Sequence, residues 1–289
     1  MSSWLAACRP KTLTTSLVPI GVGAALSYAA YGALRWDLNI LALLSSVMIQ
    51  IGTNLINDAY DFKKGADTAE RLGPQRLAMT EKVSANTILK AGIGCFIAAM
   101  LLAIPLVIAG GWPLILIGIA SLIAGYAYTG GPYPLAYLGL GDLFVVIFFG
   151  WIAVSGVYYL NTGLWEIYPW IAGSHVGFLA TVLIAINTVR DQNTDRKANK
   201  KTMAVRLGAA GARLEIALLA IIPFIIGFYW VSQGLKWAFL LPLVTLPMAV
   251  SLIRKVYRTE PGVVFNQYLA QGAALHLVFG ILLTLGLVL

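Results

Sequence analysis

Charge is what this sequence has least of. Only 11% of its 289 residues are charged and 59% are hydrophobic, whereas a soluble domain carries about a quarter charged residues. Cysteine is also scarce: Cys8 and Cys95 fall in apolar context, so we expect buried inert thiols and neither a disulfide nor a metal site. The two histidines, His175 and His276, stand singly in apolar stretches, where packing roles are expected. These shortages exclude an ordinary soluble enzyme and indicate a polytopic membrane protein.

Long apolar stretches take the place of the missing charge. A membrane-spanning helix needs about 17 to 25 mainly apolar residues. Nine such stretches can be drawn, at residues 12–33, 38–59, 86–109, 112–129, 140–161, 168–189, 213–231, 236–257 and 264–288. The sequence therefore predicts an all-α membrane protein in which residues 1–289 form a single integral membrane domain with nine transmembrane helices.

Positive charge is distributed unevenly about these stretches. With nine spans, seventeen Lys and Arg fall on the side of the N-terminus, and only Arg35 and Lys236 fall on the other. Because cytoplasmic loops of membrane proteins are enriched in Lys and Arg, the N-terminus and the two polar loops, residues 60–85 and 190–212, are expected in the cytoplasm. This asymmetry explains most of the net charge of +8 without any nucleic-acid partner.

The second apolar stretch ends in an unusual concentration of acids and amides, NLINDAYDFKKGAD. At 100° per residue, Asn54, Asp58 and Asp61 lie within about 60° of each other around a helix, and Asn57 is beside them. Carboxylates at a membrane edge require a compensating group, and acids contribute little to topology. This stripe therefore predicts a cation site.

A second stretch of the same design, NTVRDQNTDRKANKKT, follows the sixth apolar stretch. The same rotation places Asn187, Asp191 and Asp195 within about 80° of each other. Oxygen ligands in this number suit Mg²⁺, which commonly joins one or two carboxylates to a substrate phosphate. Nearby Arg and Lys residues could neutralise the remaining phosphate charge, although each could instead be a topology determinant. Together the acids and bases have the composition of a diphosphate site.

The two acidic stretches resemble the paired aspartate-rich motifs of the UbiA-type intramembrane aromatic prenyltransferases. RPKTL, RLGPQR, YTGGPYPLAYLGLGDLFVVIFFG and KKTMAVRLG, in this order along the chain, resemble the branch that prenylates 1,4-dihydroxy-2-naphthoate in menaquinone biosynthesis. Gly65 stands where the superfamily has a third acid, and Asp67 supplies that acid at the spacing of the branch. Thr188 stands where the branch often has a second asparagine.

The resemblance implies a bundle of nine helices around a central cavity with a cytoplasmic cap, in the cell membrane. It implies Mg²⁺-dependent transfer of a polyprenyl group from polyprenyl diphosphate to 1,4-dihydroxy-2-naphthoate, with loss of CO2, to give demethylmenaquinol. The implied metal ligands are Asn54, Asp58, Asp61, Asp191 and Asp195, and the four acids among them are the implied catalytic residues. The implied substrate-binding residues are Arg9, Asn54, Asn57, Lys63, Lys64, Asp67, Arg71, Arg76, Tyr128, Asn187, Arg190 and Lys201.

Several alternatives stay open at this point. Arg9 could hold the carboxylate of the aromatic substrate or be a positive-inside anchor. Tyr128 could stabilise a cation through its ring or be an interfacial aromatic residue. Asp142 is interpreted as an acid at a helix N-terminus, with a cavity role as the alternative. The acceptor could be a hydroxybenzoate or homogentisate. A secondary transporter is the rival from another class, disfavoured because both acidic stretches lie at helix ends and not at the bilayer midplane.

Overall fold

A computed structural model describes residues 3–67, 70–80 and 82–289, and the regular structure within them is entirely helical. Fourteen α-helices follow one another along the chain. They are α1 (Ser3–Ala7), α2 (Thr14–Tyr31), α3 (Trp36–Lys63), α4 (Ala85–Gly110), α5 (Trp112–Ala127), α6 (Gly141–Val145), α7 (Ala153–Thr162), α8 (Ile167–Arg190), α9 (Gln192–Lys197), α10 (Met203–Ile226), α11 (Phe228–Ser232), α12 (Lys236–Leu243), α13 (Leu246–Arg258) and α14 (Phe265–Val288). Two 3₁₀ turns, Pro10–Thr12 and Ala78–Thr80, and a π-helical segment, Val146–Ile152, complete the described chain.

Most of these helices correspond to the predicted spans. Six continuous helices are long and apolar enough to cross a membrane, and two pairs bent by 43° and 45° raise the number to eight. The remaining predicted span corresponds to α5, an apolar helix of 16 residues whose length is about 24 Å. The chain is therefore a multi-pass membrane protein with six to eight spans by length and composition, and the count of nine stays a prediction.

The outer surface of the bundle is apolar, as a protein immersed in lipid requires. Ile108, Leu101, Ile123 and Ile225 are among many large hydrophobic side chains that are more than half exposed. Polar groups of the interior have partners: His175 accepts a hydrogen bond from Trp230 Nε1 at 2.9 Å. Apolar side chains thus cover the outside of the bundle as well as filling its core, which confirms the membrane assignment made from composition.

The second polar loop is more ordered than predicted. Residues 190–212 were expected to be loop, but α9 occupies Gln192–Lys197 and α10 begins at Met203. A left-handed Gly208, with φ 72°, interrupts α10 near its start. This stretch of charged and small residues thus contains one short helix and the first ten residues of another. In the first polar loop, residues 60–85, α3 continues to Lys63, and residues 68, 69 and 81 lie outside the described part.

The π-helical segment brings one wall of the central cavity close to α8. Gly150 in this segment packs on Gly173 and Gly177 of α8, where a Cβ added to Gly150 would lie 2.5 Å from the Gly173 carbonyl oxygen. Only glycine permits this approach. Single-turn π segments shift the side chains that follow them around the helix axis and are frequent at functional sites. Here the segment carries Phe148 and Phe149, which line the cavity.

Candidate active site

A central cavity of about 370 Å³ runs through the bundle, a size within the usual range of ligand sites. Its polar end is lined by the C-terminal parts of α3 and α8 and by the loops that follow them, and its other end is apolar. Ala42 and Asp61, both on α3, line opposite ends. At 1.5 Å per residue they are separated by about 28 Å, so the cavity extends across most of a bilayer.

Asp61 is the most connected acid of the polar end. Its side chain is 1% exposed, and Oδ1 accepts a hydrogen bond from the Tyr137 hydroxyl at 3.0 Å. Oδ2 accepts from Arg76 Nη2 at 3.0 Å and from Lys200 Nζ at 2.9 Å. Burial, followed by the charge of Asp61, raises the pKa of the Tyr137 phenol, which therefore stays a hydrogen-bond donor. One carboxylate thus connects α3 with three loops, which are the loop after α3, the loop before α6 and the loop before α10.

Asp58, one turn before Asp61, has a different environment. Its carboxylate is buried and accepts hydrogen bonds from the backbone amides of Leu77 at 2.9 Å and Ala78 at 3.3 Å, at the start of the 3₁₀ turn. Asp58 does not line the cavity. Its visible contribution is to hold the loop after α3 against the helix, and its predicted role as a metal ligand stays a prediction.

Asp67 contacts two arginines of the loop after α3. Asp67 accepts a hydrogen bond from Arg71 and forms an ion pair with Arg76 Nε at 3.4 Å. Arg71 and Arg76 line the cavity and Asp67 does not. Asp67 is therefore placed to hold the two guanidinium groups at the cavity wall. The pairing also neutralises charges that would be unfavourable if each were buried alone.

Arg190 joins three elements of the polar end. Its guanidinium, 4% exposed as a residue, donates to Asp191 Oδ1 at 2.8 Å and to Oδ2 at 2.6 Å. It also donates to Asn266 Oδ1 at 2.5 Å, and Asn266 in turn donates to the Leu72 carbonyl oxygen at 2.9 Å. The planar fork of arginine is suited to such a set of bonds. Arg190 therefore fixes the position of Asp191 relative to α14 and to the loop after α3.

Gly73 lets two guanidinium groups approach the same point. A Cβ built on Gly73 would lie 2.8 Å from Arg190 Nη2 and 3.1 Å from Arg71 Nη2. Any larger residue would displace one or both side chains. Two guanidinium groups that share one side of the cavity form a natural clamp for a phosphate or diphosphate, since each can bind two oxygens at once.

Asp195 stands on α9, facing the same cavity, and accepts a hydrogen bond from the Thr202 hydroxyl at 3.4 Å. Burial raises the pKa of Asp195 to about 7, against the opposing effect of Lys200, while the neighbouring Asp191 and Asp61 add to the rise. Asp195 therefore titrates near neutral pH. A cation that bound beside it would favour the ionised form.

Amides and one arginine complete the polar end. Asn54 donates to the Cys8 carbonyl oxygen at 3.2 Å, and the buried Asn57 Oδ1 has no hydrogen-bond partner. Arg9 lies on a left-handed backbone, with φ 52°, and its buried Nη2 also lacks a partner. All three line the cavity. An unpaired buried donor and acceptor at one surface indicate a missing ligand.

Aromatic and aliphatic side chains line the rest of the cavity. Phe144 and Phe148 stack with ring centroids 5.8 Å apart, and both line the wall together with Phe149. Leu106 and Leu160 line the far end and pack in a buried cluster with Leu38. This part of the cavity can hold a long hydrocarbon chain and exclude water from it.

The structure gathers most, but not all, of the predicted site residues around the cavity. The predicted residues that line it are Arg9, Asn54, Asn57, Asp61, Arg71, Arg76, Tyr128, Asn187, Arg190, Asp191 and Asp195. Those that do not line it are Asp58, Lys63, Lys64, Asp67 and Lys201. Lys64 donates to the Thr129 carbonyl oxygen at 2.7 Å, and its ammonium lies 4.5 Å from the centre of the Tyr137 ring. Lys201 contributes its backbone amide to the Tyr137 carbonyl oxygen at 3.0 Å.

Three contributors were absent from the predicted site: Tyr137, Asn266 and Gly73. Lys200 was one of several nearby bases expected to neutralise phosphate, and a basic run gives no signal for which member turns inward. Tyr137 and Gly73 lie within the branch motifs, which could have identified them. Asn266 lies at the start of α14 with no local pattern to mark it, so only the tertiary contact with Arg190 reveals it.

The donor set of the polar end fits Mg²⁺. Three carboxylates, Asp61, Asp191 and Asp195, share the cavity with the amides of Asn54 and Asn57, and hard oxygen donors are those that Mg²⁺ prefers. The unpartnered Asn57 Oδ1 supports the same conclusion. Within the described residues no three acids converge into a ready metal cage.

Comparison with known proteins agrees with the resemblance seen in the sequence motifs. The sequence model of the UbiA prenyltransferase family matches residues 16–286. A 1,4-dihydroxy-2-naphthoate octaprenyltransferase of Haemophilus influenzae is 32% identical over 99% of this chain and 96% of its own length. Among solved structures, the apo form of a UbiA homolog from Aeropyrum pernix K1 superimposes with a TM-score of 0.69 at 18% identity, over 94% of this chain and 97% of that one. A UbiA homolog from Archaeoglobus fulgidus bound to DMAPP and Mg²⁺ does so with a TM-score of 0.59 at 19% identity, over 98% and 99%.

Proposed function

Because the chain belongs to the UbiA prenyltransferase family, we propose that it transfers a polyprenyl group from polyprenyl diphosphate to 1,4-dihydroxy-2-naphthoate. The observation that carries this proposal is one continuous cavity with a charged end and an apolar end. A polyprenyl diphosphate has the same division, with a triply charged head and a long hydrocarbon tail. The naphthoate relative, similar over nearly its full length, supports the choice of acceptor.

The diphosphate would bind at the polar end. Arg71 and Arg190, on either side of Gly73, would each grip phosphate oxygens, and Lys200 would neutralise further charge. Mg²⁺ would be held by Asp61, Asp191, Asp195 and Asn54, with Asp58 as the further predicted ligand, and when bound it stabilises negative charge on phosphate oxygens. These fixed cations lie where charge appears as the allylic carbon–oxygen bond breaks, which lowers the barrier to ionisation.

The apolar end would hold the isoprenoid and protect the allylic cation. Phe144, Phe148 and Phe149 present ring faces or edges to the cavity, and ring faces attract a cation. The hydrocarbon walls exclude water, which would otherwise capture the cation as a prenol. A cavity about 28 Å deep favours a polyprenyl chain over a single prenyl unit.

The acceptor would bind between these two regions. Arg9, whose buried Nη2 is unpartnered, is the natural partner for the naphthoate carboxylate. Attack by the ring carbon that bears this carboxylate forms the new carbon–carbon bond and releases diphosphate. Loss of CO2 then returns an electron pair to the ring and restores its aromaticity. The product would be a demethylmenaquinol.

The test is an activity assay on purified protein in lipid nanodiscs. With Mg²⁺ and a polyprenyl diphosphate, we expect 1,4-dihydroxy-2-naphthoate to give a prenylated product and one equivalent of CO2, with 4-hydroxybenzoate and homogentisate reacting far more slowly. Asp191→Ala should abolish turnover without preventing membrane insertion. Preference for another acceptor in the panel would overturn the naphthoate assignment, and prenylation without CO2 release would overturn the decarboxylating step.

The positive-inside bias supports a cytoplasmic N-terminus and cap, with α5 as a ninth span. Single cysteines placed in turn at exposed positions on each side, in a chain without its native Cys8 and Cys95, would be labelled by an impermeant maleimide in intact cells. Labelling in the loop 234–235 but not in the loop 259–264 is the expected result. The reverse pattern would contradict the topology.

A further inference from the structure

One acid of the central cavity has no part in the diphosphate site. Asp142, the second residue of α6, is 7% exposed and lines the cavity. Its Oδ1 is buried without a hydrogen-bond partner. No basic side chain of the described residues forms an ion pair with it within 4.0 Å. An unpaired carboxylate in such a place is energetically unfavourable, so a group that binds there should donate a hydrogen bond to it.

The groups around Asp142 are those that would surround an aromatic acceptor. Tyr128, which directly follows α5, approaches α6 so closely that a Cβ on Gly141 would lie 3.1 Å from the Tyr128 hydroxyl oxygen. Tyr128 is also within electrostatic range of Arg9 and Asp142. Tyr128 therefore links Asp142 to Arg9, and all three residues line the cavity. Glu215 of α10, which does not line the cavity, is also within electrostatic range of Asp142, and Asp61 and Asp195 are within range of Tyr128.

A helix N-terminal role does not account for these observations. An acid in the first turn of a helix is stabilised by the helix dipole and by backbone amides, and it normally lies at the surface. Asp142 is buried, and its Oδ1 is left without any donor. The helix cap therefore leaves one carboxylate oxygen free for a ligand.

We propose that Asp142 binds the hydroxyl group of the aromatic acceptor next to the attacked carbon and removes its proton as that carbon is alkylated. This inference rests on the proposed function. The hydroxyl O–H bond breaks toward Asp142 as the ring carbon–prenyl carbon bond forms and the prenyl carbon–oxygen bond breaks, which leaves a ketone beside the attacked carbon. When the bond to the carboxylate breaks and CO2 departs, its electron pair rearomatises the ring, and the oxygen regains the proton from Asp142. The proton is thus returned, and atoms and charge balance.

The chemical benefit is nucleophilicity. A ring that is losing a hydroxyl proton donates electrons more strongly than the neutral naphthol, and general bases of this kind contribute about 10²- to 10⁴-fold. Arg9 would hold the adjacent carboxylate, so both substituents of the reacting ring would have complementary partners. Such two-point binding also orients the attacked carbon toward the prenyl chain.

The test is the Asp142→Asn variant, which keeps the size of the side chain and its ability to accept a backbone hydrogen bond. We expect its kcat to fall by about 10²-fold, with an unchanged KM for polyprenyl diphosphate. Its residual rate should rise with pH above neutrality, because ionisation of the acceptor in solution replaces the missing base. A structural defect would not produce this pH dependence. Asp142→Ala should recover activity when formate is added.

Glu215→Gln is the matched control, since it removes a nearby acid that does not line the cavity. It should retain near-normal kcat. An Asp142→Asn variant with normal kcat, or one whose loss is equalled by Glu215→Gln, would overturn the proposal, as would a loss that neither high pH nor formate repairs. Absence of naphthoate prenylation in the unmodified protein would instead refute the proposed function itself.

Discussion

Replacement of Arg190 by lysine tests whether the polar end is held together as the structure indicates. Arg190 makes three hydrogen bonds, two to Asp191 and one to Asn266. A lysine ammonium can keep one of them at most in the same position, because it lacks the planar fork. Hydrogen bonds to charged groups contribute about 1.5–3 kcal/mol each. Loss of two, partly offset by relaxation, corresponds to about 3 kcal/mol.

If that loss falls on the transition state, kcat/KM should fall by about 10²-fold, since 1.4 kcal/mol corresponds to a factor of ten. The assay is the rate of prenylation at saturating Mg²⁺, with detergent-stable folding checked by gel filtration. Arg196→Lys is the control, because Arg196 is exposed on α9. An Arg190→Lys enzyme within about threefold of the unmodified rate would refute the reasoning.

A double-mutant cycle separates positioning from direct contact. If Arg190 acts by holding Asp191, the effects of Arg190→Lys and Asp191→Asn should overlap, with a coupling of about 1–3 kcal/mol. Fully additive effects would mean that Arg190 acts on the diphosphate alone and does not hold Asp191 in position. The fork at 2.6 and 2.8 Å favours the coupled result.

Three further predictions address other parts of the cavity. Gly73→Ala places a methyl group 2.8 Å from Arg190 Nη2, so the KM for polyprenyl diphosphate should rise about tenfold. Gly94→Ala is the control and should have no effect, because Gly94 has open space around it. Equal KM values for the two variants would contradict the clamp. Ala42→Trp should block the far end of the cavity and lower the rate with long polyprenyl diphosphates, while geranyl diphosphate still reacts; a uniform loss across chain lengths would count against this. The pKa of Asp195 is raised by burial to about 7, so the protonated form dominates below pH 7 and the concentration of Mg²⁺ needed for half-maximal activity should increase as pH falls below about 7. The same shift means that Asp195 disfavours the ligand-free fold increasingly as pH rises from its ordinary pKa near 4 toward 7. The Asp195→Asn variant should therefore gain stability relative to the unmodified protein over that interval, and a constant difference in melting temperature would contradict the assignment.

Sequence patterns predicted the membrane helices well because hydrocarbon imposes a strong and simple rule. In a helical membrane protein, any stretch that crosses the hydrocarbon must be both apolar and helical. The predicted stretch 86–109 differs from α4, Ala85–Gly110, by one residue at each end. Helix ends are predicted less accurately where the chain leaves the lipid. At Met203, ten residues before the predicted start at 213, helix formation depends on contacts that periodicity does not encode.

For the candidate site too, local sequence patterns predicted some residues correctly, whereas others depend on tertiary contacts. Helical rotation placed Asn187 and Asp191 on the cavity side, and both line it. It could not separate Asp58 from Asp61, which are neighbours on the same stripe. Whether a carboxylate faces the cavity or receives backbone amides depends on the path of the loop after α3, and that path becomes visible only through the Asp58 bonds to Leu77 and Ala78.

The pairing of acids with bases in the cavity explains how a charged site can exist so close to lipid. Asp61 is neutralised by Arg76 and Lys200, and Asp191 by Arg190. Uncompensated charges at this depth would be unfavourable, so the bases stabilise the acids until a ligand arrives. Under the proposed function, the metal binds the acids and the diphosphate binds the bases. A bound metal therefore frees the bases for the diphosphate, and a bound diphosphate frees the acids for the metal. Binding of metal and diphosphate should be mutually reinforcing, and the reactive arrangement should form only when both are present.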